Sequence, residues 1–353
     1  MNDEHTAAGP VGAEPLNGTP SRRTQVLSTV AAVVAIGLII LVAQLATSPE
    51  PVPTGPQPAA IPDGPDAQEL ASTSPDVLTE DAVDARPPVA PPKGAAELRD
   101  AAEAAAALQP FAFTITTFNI LGSNHTVPGG TAPGYAPGRI RTEWAANLLR
   151  GQGPDIVGFQ ELQGDQLATI QRTLGEDYVV YTPSGTGTVQ TSLLWKRSVW
   201  EATWLSALTS PFMGGNRTRP MVRLRHLATG REIYVLNVHN SPRDAQGRQG
   251  ERDAAVRIQI DAITTLRQDR IPVFFMGDMN EKETVFCKVT TQTDLVSSSG
   301  GSTGSPCRPP AGMRIDWIFG SPDAVFTSHR ADRSPQVARI TDHAVITAGV
   351  SVP

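Results

Sequence analysis

Cysteine is nearly missing from this 353-residue chain. Two residues, Cys287 and Cys307, cannot build a disulfide-rich scaffold or a four-cysteine zinc site. Aromatic residues make up only 5%, and no long aromatic hairpin suited to membrane insertion is present. Beyond residue 96 an excess of one charge sign is missing too. Of 29 Lys+Arg and 35 Asp+Glu, residues 1–96 hold 4 and 11, a balance of −7, which leaves 25 against 24, or +1, for residues 97–353. That near-neutrality excludes a strongly basic nucleic-acid stripe and the net charge of a wholly disordered chain. No internal repeat is visible. Hydrophobic residues, in contrast, reach 40%, enough for one sizeable core.

The prolines and charges are unevenly spread. Residues 1–25 show no apolar periodicity and read as a disordered cytoplasmic tail. Val26 to Ala46 carry no formal charge, and at about 1.5 Å per residue such a run crosses a hydrocarbon core of about 30 Å as one transmembrane helix. Arg22 and Arg23 flank its N-terminal side and the next cation is Arg86. The positive-inside rule therefore predicts a single-pass plasma-membrane protein with a cytoplasmic N-terminus and everything beyond residue 47 outside. A cleaved signal peptide is the competing reading, although the run exceeds a usual signal core and Gln44-Leu45-Ala46 lacks the small residue three positions before a cut. Residues 47–93, with PEPVPTGPQP and RPPVAPPKG, form a Pro-rich disordered linker. Residues 94–109 have high helix propensity and stop at Pro110, which predicts a short helix leading into the folded domain of residues 110–353.

From Phe111 short β-rich runs alternate with helical ones, which predicts an α/β protein with mixed sheets. FAFTITTFNI, DIVGFQE, IPVFFMGD, RIDWIFG and HAVITAGV read as strands, and MVRLRHLATGREIYVLNVH as two strands joined at Thr229-Gly230. Arg139 to Arg150 reads as a helix with Ile140, Trp144 and Leu148 on one face; DQLATIQRTLG and Ala254 to Leu266 read as two more.

Apolar runs in six segments carry polar side chains suited to metal or phosphate chemistry at or near their ends: Asn119, Glu161, His239, Asp278 with Asn280, Asp316, and Asp342 with His343. Any one alone is an ordinary turn residue. Jointly they are coherent. Carboxylates of Glu161, Asp278 and Asp342 converging at strand ends would repel one another without a cation, and hard oxygen donors favour Mg²⁺ or Mn²⁺. Asn119 and Asn280 add hydrogen bonds without charge. A histidine held by an aspartate can move a proton near neutral pH. Arg217 and Arg219, in NRTRP, are candidates to clamp a phosphate, with a solvated loop pair as the equal alternative. Asn240, in NVHNSP, joins them as a substrate-binding candidate.

The blocks TFNI, DIVGFQEL, NVHNSP, GDMN, RIDWIF and TDHAVI, in this order over residues 111–351, resemble the endonuclease/exonuclease/phosphatase superfamily, metal-dependent phosphoesterases with a deoxyribonuclease-I-like fold. The resemblance implies a four-layer sandwich of two packed mixed β-sheets flanked by helices, with the active site at one end of the sheets. It implies Glu161 as the principal metal ligand, with Asn119 beside it and Asp342 at or near the ion. His343, oriented by Asp316, is similar to the histidine that activates water or binds the scissile phosphate. Asp278 is similar to the residue that positions the nucleophile, Asn280 to a transition-state donor, and His239 to the histidine that protonates the leaving oxygen. Whether His343 or Asp278 is the base stays open, as does the number of ions beyond one.

Leu121 stands where repair members often carry an acidic residue, which argues against that subgroup. His125 reads as an exposed loop residue and His226 as structural; Trp144, Trp195, Trp200 and Trp317 read as core. Arg139 and Arg141 read as surface charge at a helix start. Phe212-Met213 reads as a buried plug or an exposed apolar tip. An extracytoplasmic location permits a Cys287–Cys307 disulfide beside the active-site mouth, with two buried thiols as the alternative. The function expected is hydrolysis of a phosphodiester, foremost in nucleic acid, by a tethered Mg²⁺-dependent enzyme. A phosphatase or phospholipase-type activity and an inactive binding module are the alternatives. No protein partner is inferable, and the domain is expected to be monomeric.

Overall fold

The computed structural model describes residues 109–184, 188–303 and 306–353, together with Arg99, Asp100, Ala102, Ala104 and Ala105. The expected tail, transmembrane run and Pro-rich linker lie outside the described residues. Of the helix expected over 94–109, the five described positions are helical. Among the described residues no helix is long and apolar enough to cross a membrane.

Two six-stranded sheets form the centre. The first contains β1 (Phe111–Asn119), β2 (Ile156–Gln160), β3 (Tyr178–Tyr181), β4 (Thr191–Lys196), β11 (Val325–Asp332) and β12 (Val345–Val352) in the order β11-β12-β1-β2-β4-β3. The second contains β5 (Trp200–Phe212), β6 (Gly215–His226), β7 (Glu232–His239), β8 (Val273–Asp278), β9 (Val296–Ser297) and β10 (Asp316–Gly320) in the order β5-β6-β7-β8-β10-β9. Both are mixed: β1 runs parallel to β2 and β7 parallel to β8, while the other pairs are antiparallel.

Side chains alternate across a strand, and this sorts the apolar residues into three cores. Phe111, Phe113 and Ile115 of β1, Phe274 and Met276 of β8, and Ile346, Ala348 and Val350 of β12 fill the space between the sheets. The opposite face of the first sheet, with Phe118, Val157 and Phe159, packs under α1 (Gly138–Gln152) and α2 (Gly164–Leu174). On the second sheet Val273, Phe275 and Phe319 pack under α3 (Gln249–Leu266) and α4 (Glu283–Gln292). A short α5 (Pro335–Ala338) adds Val337 to the first helical layer. Helix, sheet, sheet and helix make the four layers expected.

Local differences from the sequence reading have physical causes. In α1 the buried face is Arg141, Ala145, Leu148 and Leu149, with Ile140 and Trp144 only half-buried. Arg141 is fully buried because its guanidinium donates to the carbonyls of Ile120, Leu121, Ala136 and Ile340 at 2.7–2.9 Å. It is not surface charge. NRTRP is not a loop before a strand but part of β6, paired to a long β5; ladder contact with β7 begins only at Met221, so the missing N–H of Pro220 costs no ladder bond there. Phe212 is buried and Met213 half exposed at the β5–β6 turn, so the tip divides between plug and apolar knob. A disulfide joins Cys287 to Cys307, and both cysteines pack against the core beneath α3 and α4. No described residue of the segment from Ser298 to Cys307 lines the active-site cavity.

Candidate active site

The parallel pairs decide where chemistry collects. Asn119 ends β1 opposite Gln160 at the end of β2, and Glu161 follows at once. His239 ends β7 opposite Asp278 at the end of β8. Antiparallel β10 starts at the same edge, with Asp316 opposite Asp278, and His343 lies just before β12. One edge of the paired sheets therefore receives all of them. Backbone strain gathers there too: Leu121, Glu161 and Asn280 have φ of 58°, 60° and 52°, a region that non-glycine residues rarely occupy.

Ligand atoms of Glu161, Asp278 and His343 lie within 4.8 Å of one another. Asn119 sits among them, its Nδ2 at 2.9 Å from Glu161 Oε1, 3.0 Å from Asp278 Oδ2 and 3.4 Å from His343 Nε2. Its Oδ1 is occupied by the N–H of Leu121. Asn119 thus presents a donor to the cluster and bridges the carboxylates; it does not offer them an oxygen ligand. Asp342 departs further from expectation. Thr341 turns inward, donating to the Asn119 carbonyl at 2.7 Å, and Asp342 is exposed, outside the converging group. The donor set that remains, two carboxylates beside an imidazole at one strained strand edge, fits a divalent cation held by hard oxygen atoms.

The electrostatics follow from burial and partners. Burial opposes the charge of Glu161, yet hydrogen bonds from His125, Asn119 and the N–H of Gly122, with the field of His239, hold its carboxyl well below the usual carboxylate range. Burial is the main force on Asp278 and pushes its carboxyl up, against hydrogen bonds from the N–H of Asn280 and from Asn119. His343 Nδ1 faces both oxygens of Asp316 at 3.0 Å; burial disfavours the charged ring, but Asp316 and Asp278 outweigh it and push the imidazole up to about 10. His239 goes the other way, since complete burial pushes it down to about 3. Its Nε2 lies 3.5 Å from Asp278 Oδ2, and its Nδ1 is buried without a hydrogen-bond partner among the described residues. One histidine is held charged and the other neutral, 3.8 and 3.5 Å from the same Asp278 oxygen.

A cavity of about 320 Å³ opens over this group. Glu161, His239, Asp278, Asn280 and His343 line it, with Arg217, His125, Phe212 and Met213 as walls. Arg217 stacks on Phe212, its guanidinium carbon 3.8 Å from the ring centre, and pairs with Gln190. Arg219 does not reach the cavity. It is fully buried and donates to the carbonyls of Ser210, Arg217 and His239, so it fixes the backbone under His239 and binds no substrate. Asn240 is likewise fully buried and paired with Gln259 through both amide atoms; its carbonyl accepts from Asn280 Nδ2 at 2.9 Å. Asn240 thus positions Asn280.

His125 is the residue the sequence reading passed over. Its Nε2 is 3.3 Å from Glu161 Oε2, and its Nδ1 is 2.7 Å from Thr131 Oγ1. The hydrogen bond to Glu161 raises its pKa, against partial burial. The available signal was position: His125 lies six residues beyond Asn119, on the loop leaving a site-forming strand.

A model of the Endonuclease/Exonuclease/phosphatase family matches residues 116–343. Comparison with the curated proteins finds no match. Among solved structures, an endonuclease/exonuclease/phosphatase family protein of Bacteroides thetaiotaomicron aligns over 69% of this chain and 96% of its own, at 19% identity and a TM-score of 0.54. A mannosyl-6-phosphatase of the same species aligns over 67% and 99%, at 17% identity and 0.53. The human Nocturnin catalytic domain with bound sulfate aligns over 69% and 96%, at 16% identity and 0.53. At such identities the likeness is one of fold.

Proposed function

Because the chain belongs to the Endonuclease/Exonuclease/phosphatase family and is a metal-dependent phosphoester hydrolase, we propose that it cleaves phosphodiester bonds of nucleic acid at the cluster of Glu161, Asp278 and His343. The observation that carries this reading is the convergence of those three ligand atoms beside Asn119, at the floor of an open cavity. Glu161 would hold the ion, and its oxygen donors favour Mg²⁺ or Mn²⁺. When bound, the ion supplies positive charge to a phosphoryl oxygen and orders water.

The chain's own residues perform the rest. The charged ring of His343, fixed by Asp316, hydrogen-bonds a phosphoryl oxygen and favours the extra negative charge of the transition state. Asp278, whose carboxyl burial has pushed up, accepts the proton of the attacking water, because a base with a raised pKa holds a proton best near neutral pH. Asn280, fixed by the carbonyl of Asn240, donates to the same phosphoryl group. Neutral His239 contributes an N–H near the leaving oxygen. Arg217, pressed on Phe212, approaches the phosphate from the wall. We place this domain outside the plasma membrane on the Val26–Ala46 anchor and the Pro-rich tether; protease added to intact expressing cells should remove it.

The modest cavity, walled by Phe212 and His125, favours one second reading, a phosphatase of small phosphoesters. The full chain incubated with plasmid DNA, RNA, mannose 6-phosphate and phospholipid vesicles, each with Mg²⁺, Mn²⁺ or chelator, decides between them. Divalent-dependent shortening of nucleic acid is expected; release of phosphate from the sugar alone would overturn the nuclease reading.

A further inference from the structure

A second cavity, of about 340 Å³, adjoins the first, and His343 lines both. The Nε2 side of that imidazole faces Asp278 and Asn119, while Nδ1 is taken by Asp316. Asp316 and Asp342 are the carboxylates of the second cavity, and Lys282, Arg314 and Arg333 are its cations. Each cation comes from chain next to a site residue: Lys282 is four residues beyond Asp278, Arg314 two before Asp316, and Arg333 opens the connection to His343.

These cations are poorly matched by the protein itself. Among the described residues Lys282 and Arg314 form no salt bridge, and the Nε of Arg314 is buried without a hydrogen-bond partner. Arg333 makes only a long contact, 3.4 Å, to the backbone carbonyl of Asp342. Asp316 is already engaged by His343 through both oxygens, so it cannot neutralise them. Asp342, exposed and without a side-chain partner among the described residues, is one carboxylate against three cations. Arg314 is only half-buried and lines the cavity, and phosphate is the anion whose oxygens match the guanidinium fork.

From this geometry we infer that Lys282, Arg314 and Arg333 bind a second phosphate of the substrate, on the far side of His343 from the scissile one. The inference rests on the phosphoesterase reading of the first cavity and adds a substrate class: molecules carrying two phosphates a short linkage apart. An oligonucleotide strand is one source of that chemistry and a bisphosphorylated sugar another. The near-neutral charge of residues 97–353 is compatible with it, because three cations gathered at one cavity do not need a basic face.

The test uses the full chain and two substrate pairs: a dinucleoside monophosphate against the same compound bearing one added terminal phosphate, and a hexose 6-phosphate against the hexose 1,6-bisphosphate. The readouts are the ratio of kcat/KM within each pair and, under chelator, the ratio of equilibrium affinities. A preference of about tenfold for the two-phosphate member is expected in at least one pair, the size of one charge-assisted contact. It should fall toward one in Arg314→Gln and in Lys282→Gln, whose exposed side chain makes it safe for folding, and largely persist in Arg333→Lys. Equal affinity within both pairs, or an undiminished ratio in both Gln variants, overturns the subsite. Preference confined to the sugar pair keeps the subsite while removing the nuclease reading.

Discussion

His343 stands between two carboxylates with opposite jobs. Asp316 grips Nδ1 through two contacts of 3.0 Å, and Asp278 waits 3.8 Å from Nε2. Asp316→Asn removes the charge that keeps the ring protonated. The imidazole should then titrate well below about 10, as followed by its proton resonances, and kcat should fall by roughly 10²–10⁴. The same substitution has a stability signature with a definite sign. A histidine whose folded pKa is raised stabilises fully below its unfolded value, near 6.5, and loses that contribution as pH rises through about 10. Metal-free wild type should therefore lose stability between those limits relative to Asp316→Asn, as measured by thermal melting across the window; parallel curves would refute the pairing. Roles at this scale were partly legible. Asp278, His239 and His343 are polar ends of apolar runs, whereas Arg219, Asn240 and Arg141 have the same residue chemistry but are buried against the protein's own carbonyls and amides. Nothing in an isolated Arg says whether its five donors will face substrate or backbone.

At the scale of elements, the parallel β7–β8 pair aligns His239 with Asp278, and Gly277 makes that approach possible. A Cβ at Gly277 would lie 1.9 Å from the Val238 carbonyl oxygen, and its φ of +143° is disfavoured for any other residue. Gly277→Ala should cost on the order of 3 kcal/mol or more, a fall in Tm of roughly 6–12 °C for a domain of this size, with activity lost in the residual folded fraction because His239 is displaced. Differential scanning calorimetry with a parallel assay checks both parts; an unshifted Tm would show that the strands can separate cheaply. The positions of β1, β2, β7, β8, β10 and β12 were readable because alternation of apolar residues has one period, whereas β3, β4, β9 and β11 were not read. The length of β5, and the inclusion of Arg217 and Arg219 in β6, were not, since a long hairpin is held by cross-strand pairing that leaves a weak local signal.

For the whole molecule the decisive feature is that two sheets end at one edge and set Glu161 from the first beside Asp278 from the second. Their mutual repulsion is tolerated without metal through Asn119, His125 and partial neutralisation of Asp278. A divalent cation should bind the folded chain far better than the unfolded one, so Mg²⁺ or Mn²⁺ at about 100 times Kd should stabilise by about 2.7 kcal/mol. Glu161→Gln should abolish most of that gain in thermal melts and weaken metal binding in calorimetry. An unchanged metal-dependent shift in the variant would remove Glu161 from the ion's coordination.

The amino-acid order alone determined the alternation of strands and helices, the order of the polar blocks and the shortage of net charge beyond residue 97, because periodicity and composition are local properties of a chain. It also identified which side chains can do phosphate chemistry. Tertiary structure alone decided which of them do: Asp342 turns out from the cluster, Arg219 and Asn240 are spent on holding backbone, and His125 enters from a loop. Those outcomes depend on contacts between segments from 20 to 222 residues apart, which only the folded chain brings together.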